Sequence, residues 1–262
     1  MDIIANLAKQ IVNAQSFDFQ TFQDAKMTLD IHGMHYSFDR LSLCEYSHNL
    51  SPDEHASLSK HITQLFEATH TREEQKTRVE YGTLFHLIVL QNLYSNYRIT
   101  KETRPDFVLC GPRKIGIEIT EFTTEQDSVM SRIAKENFGK GLSALEIEAN
   151  AKRHGAKANE YQYYDLNGSA AIASGMYDTS VKHMKYADII TQKFIKYKQD
   201  FPLYDEFVVL CNAQHSMCMS SERDSAAVVA FAKNKVPELT AFTLHILRLD
   251  DSGRCVVDSF IL

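Results

Sequence analysis

Asp106 and Glu118 are the two residues whose types and spacing point most directly to chemistry. They stand in Arg104-Pro105-Asp106-Phe107-Val108-Leu109 and Ile115-Gly116-Ile117-Glu118-Ile119-Thr120. Between these apolar runs lies Gly111-Pro112-Arg113, which is turn chemistry, so the segment is expected to fold as an antiparallel hairpin. Pairing across that turn brings Asp106, at the start of one strand, close to Glu118, late in the next. Alternate strand residues share a face, so Ile117 and Ile119 can enter the core while Glu118 and Thr120 point the other way. Two acids then converge beside the backbone carbonyl of Ile119. Carboxylates plus a carbonyl form a hard oxygen site suited to Mg²⁺ or Mn²⁺. Without a cation the two carboxylates would repel one another. With one, the site could hold and activate water for phosphodiester hydrolysis and stabilise charge developing on phosphate.

A second group of candidates lies in residues 179–199, which are expected to form a basic helix. At about 100° per residue, Lys182, Lys185, Lys193 and Lys196 fall within an arc of roughly 80°. Tyr186, Ala187, Ile190, Phe194 and Tyr197 cluster on the adjoining arc, so one edge can pack on a sheet while the lysines face outward. Such a stripe could contact phosphates without reading sequence, and it is equally the pattern of an ordinary solvated helix face. Lys193 lies on the border of the two arcs, from where it could reach the site. Tyr161, Tyr163 and Tyr164 could stack on bases or form a packed aromatic cluster.

These residues need a frame to hold them. Residues 2–14 read as a short amphipathic helix, and 26–38 as a hairpin turning at His32-Gly33. Ser51-Pro52-Asp53-Glu54 has the capping serine, first-position proline and third-position glutamate of a helix start, with the helix running to about Glu67. Thr71-Arg72-Glu73-Glu74 opens a long helix to about Tyr94, whose Leu84, Leu87 and Ile88 imply burial against a sheet. Strands follow at 97–100, 106–110 and 114–120. Residues 122–177 read as a less regular insertion holding helices near 127–137 and 142–153 and a Gly/Ser/Asn-containing stretch at 167–175. After the basic helix come a strand at 206–212, a helix at 222–235, and strands at 241–249 and 255–261 across Asp250-Asp251-Ser252-Gly253. The expected organisation is an N-terminal extension over 1–70 and an α/β domain over 71–262.

Composition narrows the class. Of 262 residues, 44% are hydrophobic and 24% charged, as in ordinary folded soluble proteins. No apolar run approaches the roughly 20 residues needed to cross a bilayer. The start Met-Asp-Ile-Ile-Ala-Asn lacks the basic residues and apolar core of a signal peptide, so a cytoplasmic location without membrane association is expected. The net charge of −6 leaves any attraction for nucleic acid to a local basic face. The cysteines (Cys44, Cys110, Cys211, Cys218 and Cys255) are odd in number and contain no Cys-x-x-Cys pair, which disfavours a structural zinc site and a disulfide framework. Cys110 and Cys211 lie in apolar strand-like runs and are expected to be buried. Neither a phosphate-cradling Gly-rich loop, a Gly-x-Ser-x-Gly elbow nor a dinucleotide fingerprint occurs, so nucleotide hydrolases, serine hydrolases and dehydrogenases lack support.

Pro105-Asp106, eleven intervening residues and Glu118-Ile119-Thr120 resemble the motif of the PD-(D/E)xK, restriction-endonuclease-like nuclease superfamily. The order helix 72–94, three strands, helix 179–199 and strand 206–212 is similar to that superfamily's αβββαβ core, so the likeness spans roughly residues 72–213. The resemblance implies a mixed central sheet flanked by helices, with N-terminal and C-terminal additions. It also implies metal-dependent hydrolysis of nucleic acid, DNA before RNA, with Mg²⁺ or Mn²⁺ on Asp106, Glu118 and the Ile119 carbonyl, and it is compatible with a homodimer. Members often carry a further metal-reaching glutamate on the first core helix, and Glu80 is the best-placed residue here. The family pattern has lysine two residues after the glutamate, where this chain has Thr120, which brings no positive charge to the attacking water. Lys193 is the expected substitute, with Lys182, Lys185 and Lys196 on phosphates. The alternatives are a catalytically degenerate module of the same fold that binds nucleic acid or protein, and an unrelated α/β domain.

Overall fold

A central sheet is built where the sequence supplies alternating or continuous apolar strands, and helices cover both of its faces. The computed structural model describes residues 16–18, 26–31, 34–67, 72–123, 133, 140–155, 161–166, 169–174, 179–214, 216 and 218–262. Strands β1 (Ser16–Asp18), β2 (Lys26–Ile31) and β3 (Met34–Asp39) form a small antiparallel sheet. Helices α1 (Arg40–His48), α2 (Pro52–Glu67) and α3 (Arg72–Phe85) follow, and α3 runs on into a π-helical turn, His86–Leu90. Next come β4 (Arg98–Lys101), β5 (Phe107–Cys110) and β6 (Lys114–Glu121). Helix α4 (Ala144–Arg153) and the antiparallel hairpin β7 (Tyr161–Leu166) and β8 (Ser169–Ser174) occupy the insertion. The chain continues through α5 (Thr179–Tyr197), β9 (Glu206–Asn212), α6 (Glu222–Lys235), β10 (Thr243–Leu249) and β11 (Cys255–Ile261).

The six-stranded sheet has the order β11-β10-β9-β6-β5-β4. It is mixed: β6, β9 and β10 are mutually parallel, while β4-β5-β6 and β10-β11 are antiparallel hairpins. Parallel neighbours cannot be joined by a tight turn, and α5 and α6 lie in the two connections concerned. Period-two alternation sorts the side chains. Ile115, Ile117, Ile119, Val208 and Leu210 pack with Leu43, Leu58 and Leu84 from α1, α2 and α3. Phe207, Val209, Cys211, Leu244 and Ile246 pack with Tyr186, Ile190 and Phe194 of α5 and Val228 of α6. Glu118 belongs to this second face, one position out of phase with the isoleucines beside it.

Several local expectations hold. The strands flanking His32-Gly33 pair with Ile31 opposite Met34. At the start of α2, Ser51 Oγ accepts from Glu54 N–H at 3.4 Å while Glu54 Oε2 accepts from Ser51 N–H at 3.0 Å. That reciprocal bonding satisfies two donors left over at the helix start and holds the Glu54 carboxyl below its usual range, the Ser51 hydroxyl being the larger cause. The helix predicted for 142–153 is α4, capped in the same way by Ser143 and Glu146.

Others are corrected. The helix expected to reach about Tyr94 loses α-helical form after Phe85 and ends at Leu90. The Gly/Ser/Asn stretch at 167–175 contains a strand, because a partner six residues long lies directly before it. Cys110 is exposed, since it closes β5 at the turn, whereas Cys211 in the middle of β9 is fully buried. The helix expected at 2–14 lies outside the described residues, as does that at 127–137 apart from Ile133.

The π-helical turn ties the N-terminal helices to the sheet. Gln91 N–H reaches back to the His86 carbonyl. The last carbonyls have no intrahelical donor, and the turn is buried, so side chains supply them. Ile88 O accepts from Cys44 Sγ, Val89 O from Ser47 Oγ, and Leu90 O from His55 Nε2 at 3.4 Å. Arg40, also buried, donates to Ser95 O and Tyr97 O. Ser47→Ala leaves the Val89 carbonyl buried without that donor and is expected to cost about 1–2 kcal/mol in urea unfolding.

A part-buried polar chain crosses the sheet near β9 and β10. Tyr94 donates to Glu206 Oε1 at 2.9 Å, so its oxygen accepts from His245 Nε2–H at 3.1 Å, and His245 Nδ1 accepts from Ser259 Oγ at 2.8 Å. Arg113 donates to the other oxygen of Glu206 at 2.8 Å. Burial pulls His245 from the ordinary imidazole value of 6.5 down to about 4, against the opposing pull of Glu206. A lowered folded-state value means that the unfolded chain binds the proton first. Stability is therefore complete above about pH 6.5 and falls as the pH drops toward 4, by about 3 kcal/mol for this group. Buried His55, also lowered by burial, acts in the same direction. Urea midpoints measured from pH 7.5 to 4.5 are expected to decline, with a shallower decline in His245→Gln.

Candidate functional site

The hairpin places its acids as the turn and the alternation require. Phe107 pairs with Ile117, so one step outward Asp106 stands opposite Glu118. The ladder is not continued there by backbone. Instead Asp106 Oδ2 accepts from Ile119 N–H at 2.8 Å. In an antiparallel pair the N–H and C=O of a residue leave the strand on the same side, so the Ile119 carbonyl faces the Asp106 side as well. Asp106 and Glu118 are 9% and 3% exposed, too little for two carboxylates to rely on water.

Each acid has found a cation from a different layer. Across the second face of the sheet, Lys193 Nζ donates to Glu118 Oε1 at 2.6 Å, and Lys196 Nζ lies 3.9 Å from the same oxygen. Lys193 is half-buried, as its position on the border of the two α5 arcs predicts. Lys196 also donates to the Tyr197 hydroxyl at 2.7 Å. Burial first, and then the adjacent Glu118 carboxylate, raise the Tyr197 phenol above its ordinary value, so it remains a neutral hydroxyl at this site. Glu118 Oε2 is buried and has no hydrogen-bond partner among the described residues.

On the first face, Lys101 at the end of β4 donates to Asp106 O at 3.0 Å and lies 3.6 Å from Asp106 Oδ1. It also forms an ion pair with Glu80 Oε2 at 2.9 Å and sits 4.6 Å from the centre of the Phe107 ring. Glu80 thus meets Lys101, and at 3.5 Å the exposed Lys76, rather than completing a cluster with Asp106 and Glu118. No group of three or more His, Cys, Asp or Glu side chains among the described residues is arranged to hold a metal ion. A cation at Asp106 and Glu118 would therefore draw on two side-chain carboxylates and the Ile119 carbonyl. The unpartnered buried oxygen of Glu118 fits that role, because such an atom otherwise carries its desolvation cost uncompensated.

The remaining sequence candidates separate. Thr120 is partly buried two residues beyond Glu118 on the same face, opposite Cys211, and supplies no charge. Lys185 and Lys196 are exposed, whereas Lys182 is only 7% exposed and drops out of the expected solvent stripe. The start of α6 packs over this end of α5, with the neighbouring His183 bonded to Cys218 O at 2.8 Å and 3.6 Å from Asp224. Arg104 adds a cation near the site, 5.3 Å from the Tyr197 ring and bonded to Asp200 and Lys196 O.

Sequence reasoning missed Lys101 and Tyr197. A signal existed for each. Lys101 sits five residues before Asp106 across a loop short enough to fold back on it. Tyr197 follows Lys193 by one helical turn, and its grouping with apolar residues hid its hydroxyl.

No protein-family model matches the chain, and searches of the curated proteins and of the solved structures find no match to it.

Proposed function

We propose that the chain is a metal-dependent nuclease with a restriction-endonuclease-like αβββαβ core, acting on DNA in preference to RNA. The observation that carries this reading is Glu118. One of its oxygens is held by Lys193 at 2.6 Å, the other is buried and unpartnered, and Asp106 stands across the strand pair. The order α3, β4-β5-β6, α5 and β9, with β9 parallel to β6, supports the architecture. The membrane is not an expected partner, and no helix among the described residues is long and apolar enough to cross one.

In this reading Asp106, Glu118 and the Ile119 carbonyl would hold Mg²⁺ or Mn²⁺. Such an ion, when bound, lowers the pKa of a bound water and offsets negative charge on the phosphate. The protein's own contributions follow from its contacts. The Ile119 N–H fixes one oxygen of Asp106. Lys193 holds one oxygen of the buried Glu118 and stands where the charge missing at Thr120 is needed. Lys196 and Arg104, exposed beside the acids, give a phosphate backbone its first contacts, with Lys185 further along the same helix. Glu80 has no direct metal contact in this reading.

Titrating Mn²⁺ against plasmid, single-stranded DNA and RNA tests it. Metal-dependent cleavage that disappears in Asp106→Ala and Glu118→Ala is the expected result. Binding of nucleic acid without cleavage would instead assign a catalytically inactive module of the same fold, and neither binding nor cleavage would contradict both.

A further inference from the structure

Lys101 is surrounded by more oxygen than a lysine needs. Its ammonium lies 2.9 Å from Glu80 Oε2, 3.0 Å from Asp106 O, 3.4 Å from Glu102 O and 3.6 Å from Asp106 Oδ1. An ammonium has three donors, and here two carboxylates and two carbonyls converge on it. That donor set, acidic and all oxygen, is the composition that hard divalent cations select. Both carboxylates are buried, Glu80 to 7% and Asp106 to 9% exposure, and the ammonium between them supplies hydrogen bonds and charge that water does not. The loop from β4 to β5 delivers that charge from the chain itself. Lys101 closes β4, opposite Phe107 in the register, and its Nζ sits over the Phe107 ring.

We propose that Lys101 is a tethered cation occupying what would otherwise be a second divalent-metal site shared by Glu80 and Asp106. The consequence is a one-metal centre at Asp106 and Glu118. This rests on the metal reading given under Proposed function. Glu80 becomes a positioning residue. It holds Lys101, Lys101 holds the carbonyl and outer oxygen of Asp106, and Asp106 presents its carboxylate beside Ile119. Removing the ammonium frees both acids, and a divalent ion could replace it once Glu80 Oε2 and Asp106 O close in by roughly 0.8–0.9 Å and Asp106 Oδ1 by roughly 1.5 Å, to Mg²⁺ or Mn²⁺ distances.

Counting bound Mn²⁺ by electron paramagnetic resonance in the full chain tests the assignment without relying on cleavage. Expected are one Mn²⁺ per chain in the wild type, two in Lys101→Met, one in Lys101→Arg, and one again in Lys101→Met combined with Glu80→Gln. Glu80→Gln alone, which leaves Lys101 in place, is expected still to bind one Mn²⁺ per chain, with an affinity lowered by about 10–100-fold, as is typical when an outer contact to a metal ligand is lost. With the wild-type count, this arm keeps the assignment open to refutation even if Lys101→Met folds poorly. One Mn²⁺ in both wild type and folded Lys101→Met, or two in the wild type, overturns the Lys101 assignment alone. Loss of the single Mn²⁺ from folded Glu80→Gln does the same. No Mn²⁺ bound by any of the proteins overturns both this inference and the metal reading beneath it.

Discussion

Lys193→Ala is expected to lower metal-dependent cleavage by about 10²–10³-fold at saturating Mn²⁺, the scale on which one preorganised electrostatic contact to a reacting group acts. Lys193 is bonded to Glu118 at 2.6 Å, and Lys196 at 3.9 Å is too far to replace it. Two effects are combined in the loss. The site forfeits the positive charge that Thr120 cannot provide, and Glu118, almost fully buried, is left with its nearest cation outside hydrogen-bonding distance. The second effect acts on stability, so Lys193→Ala should unfold at lower urea without metal and recover part of the difference when Mn²⁺ is added. Lys193→Arg separates the two effects, because it restores charge to Glu118 with a different donor geometry. Stability is expected to return in Lys193→Arg while cleavage stays below wild type. Full activity in Lys193→Ala would remove Lys193 from the mechanism.

The largest loss of stability is expected far from that site, in Asp258→Ala. Arg248 on β10 and Asp258 on β11 form a two-pronged pair, Nε to Oδ2 at 2.6 Å and Nη2 to Oδ1 at 3.1 Å. Their side chains are each only 9% exposed. Arg248 also donates to Ser220 O, and Ser225 Oγ donates to Asp258 at 2.6 Å, so the pair joins the β10-β11 hairpin to the start of α6. Truncating the acid strands a guanidinium in the interior, and breaking such a pair typically costs about 3–5 kcal/mol. Asp258→Asn, which keeps the shape and accepts from Arg248, should cost less. Urea unfolding of both variants gives the comparison. Equal losses would mean that packing, not charge, dominates there.

How much of this was legible in the sequence depends on how local the information was. The carboxylate hairpin was readable because a Gly-Pro-Arg turn and strict alternation fix which residues face each other, and no other part of the chain is needed. The start of α2 was readable for the same reason, since Ser51 and Glu54 cap each other within one turn. Lys193 could be singled out because a helical wheel resolves the border between an apolar and a charged arc. The same wheel placed Lys182 outside, because it carries no record of the segments packed beside the start of α5, where Lys182 is only 7% exposed and the neighbouring His183 bonds to Cys218 O. Glu80 was assigned to the metal on its helix position alone. What redirects it is Lys101, arriving on the edge strand, a contact between segments that no pattern within α3 encodes. Tyr94 was expected to end a helix. It lies beyond that helix with a positive φ of 58° and joins Glu206 and His245 across the sheet.

Glu118→Gln gives the most direct measurement of the central claim. The substitution keeps the shape and the hydrogen-bonding reach of the side chain and removes only its negative charge. Cleavage of DNA at saturating Mn²⁺ should fall to background in Glu118→Gln while its circular dichroism spectrum matches wild type. Undiminished cleavage by the folded variant would contradict the account.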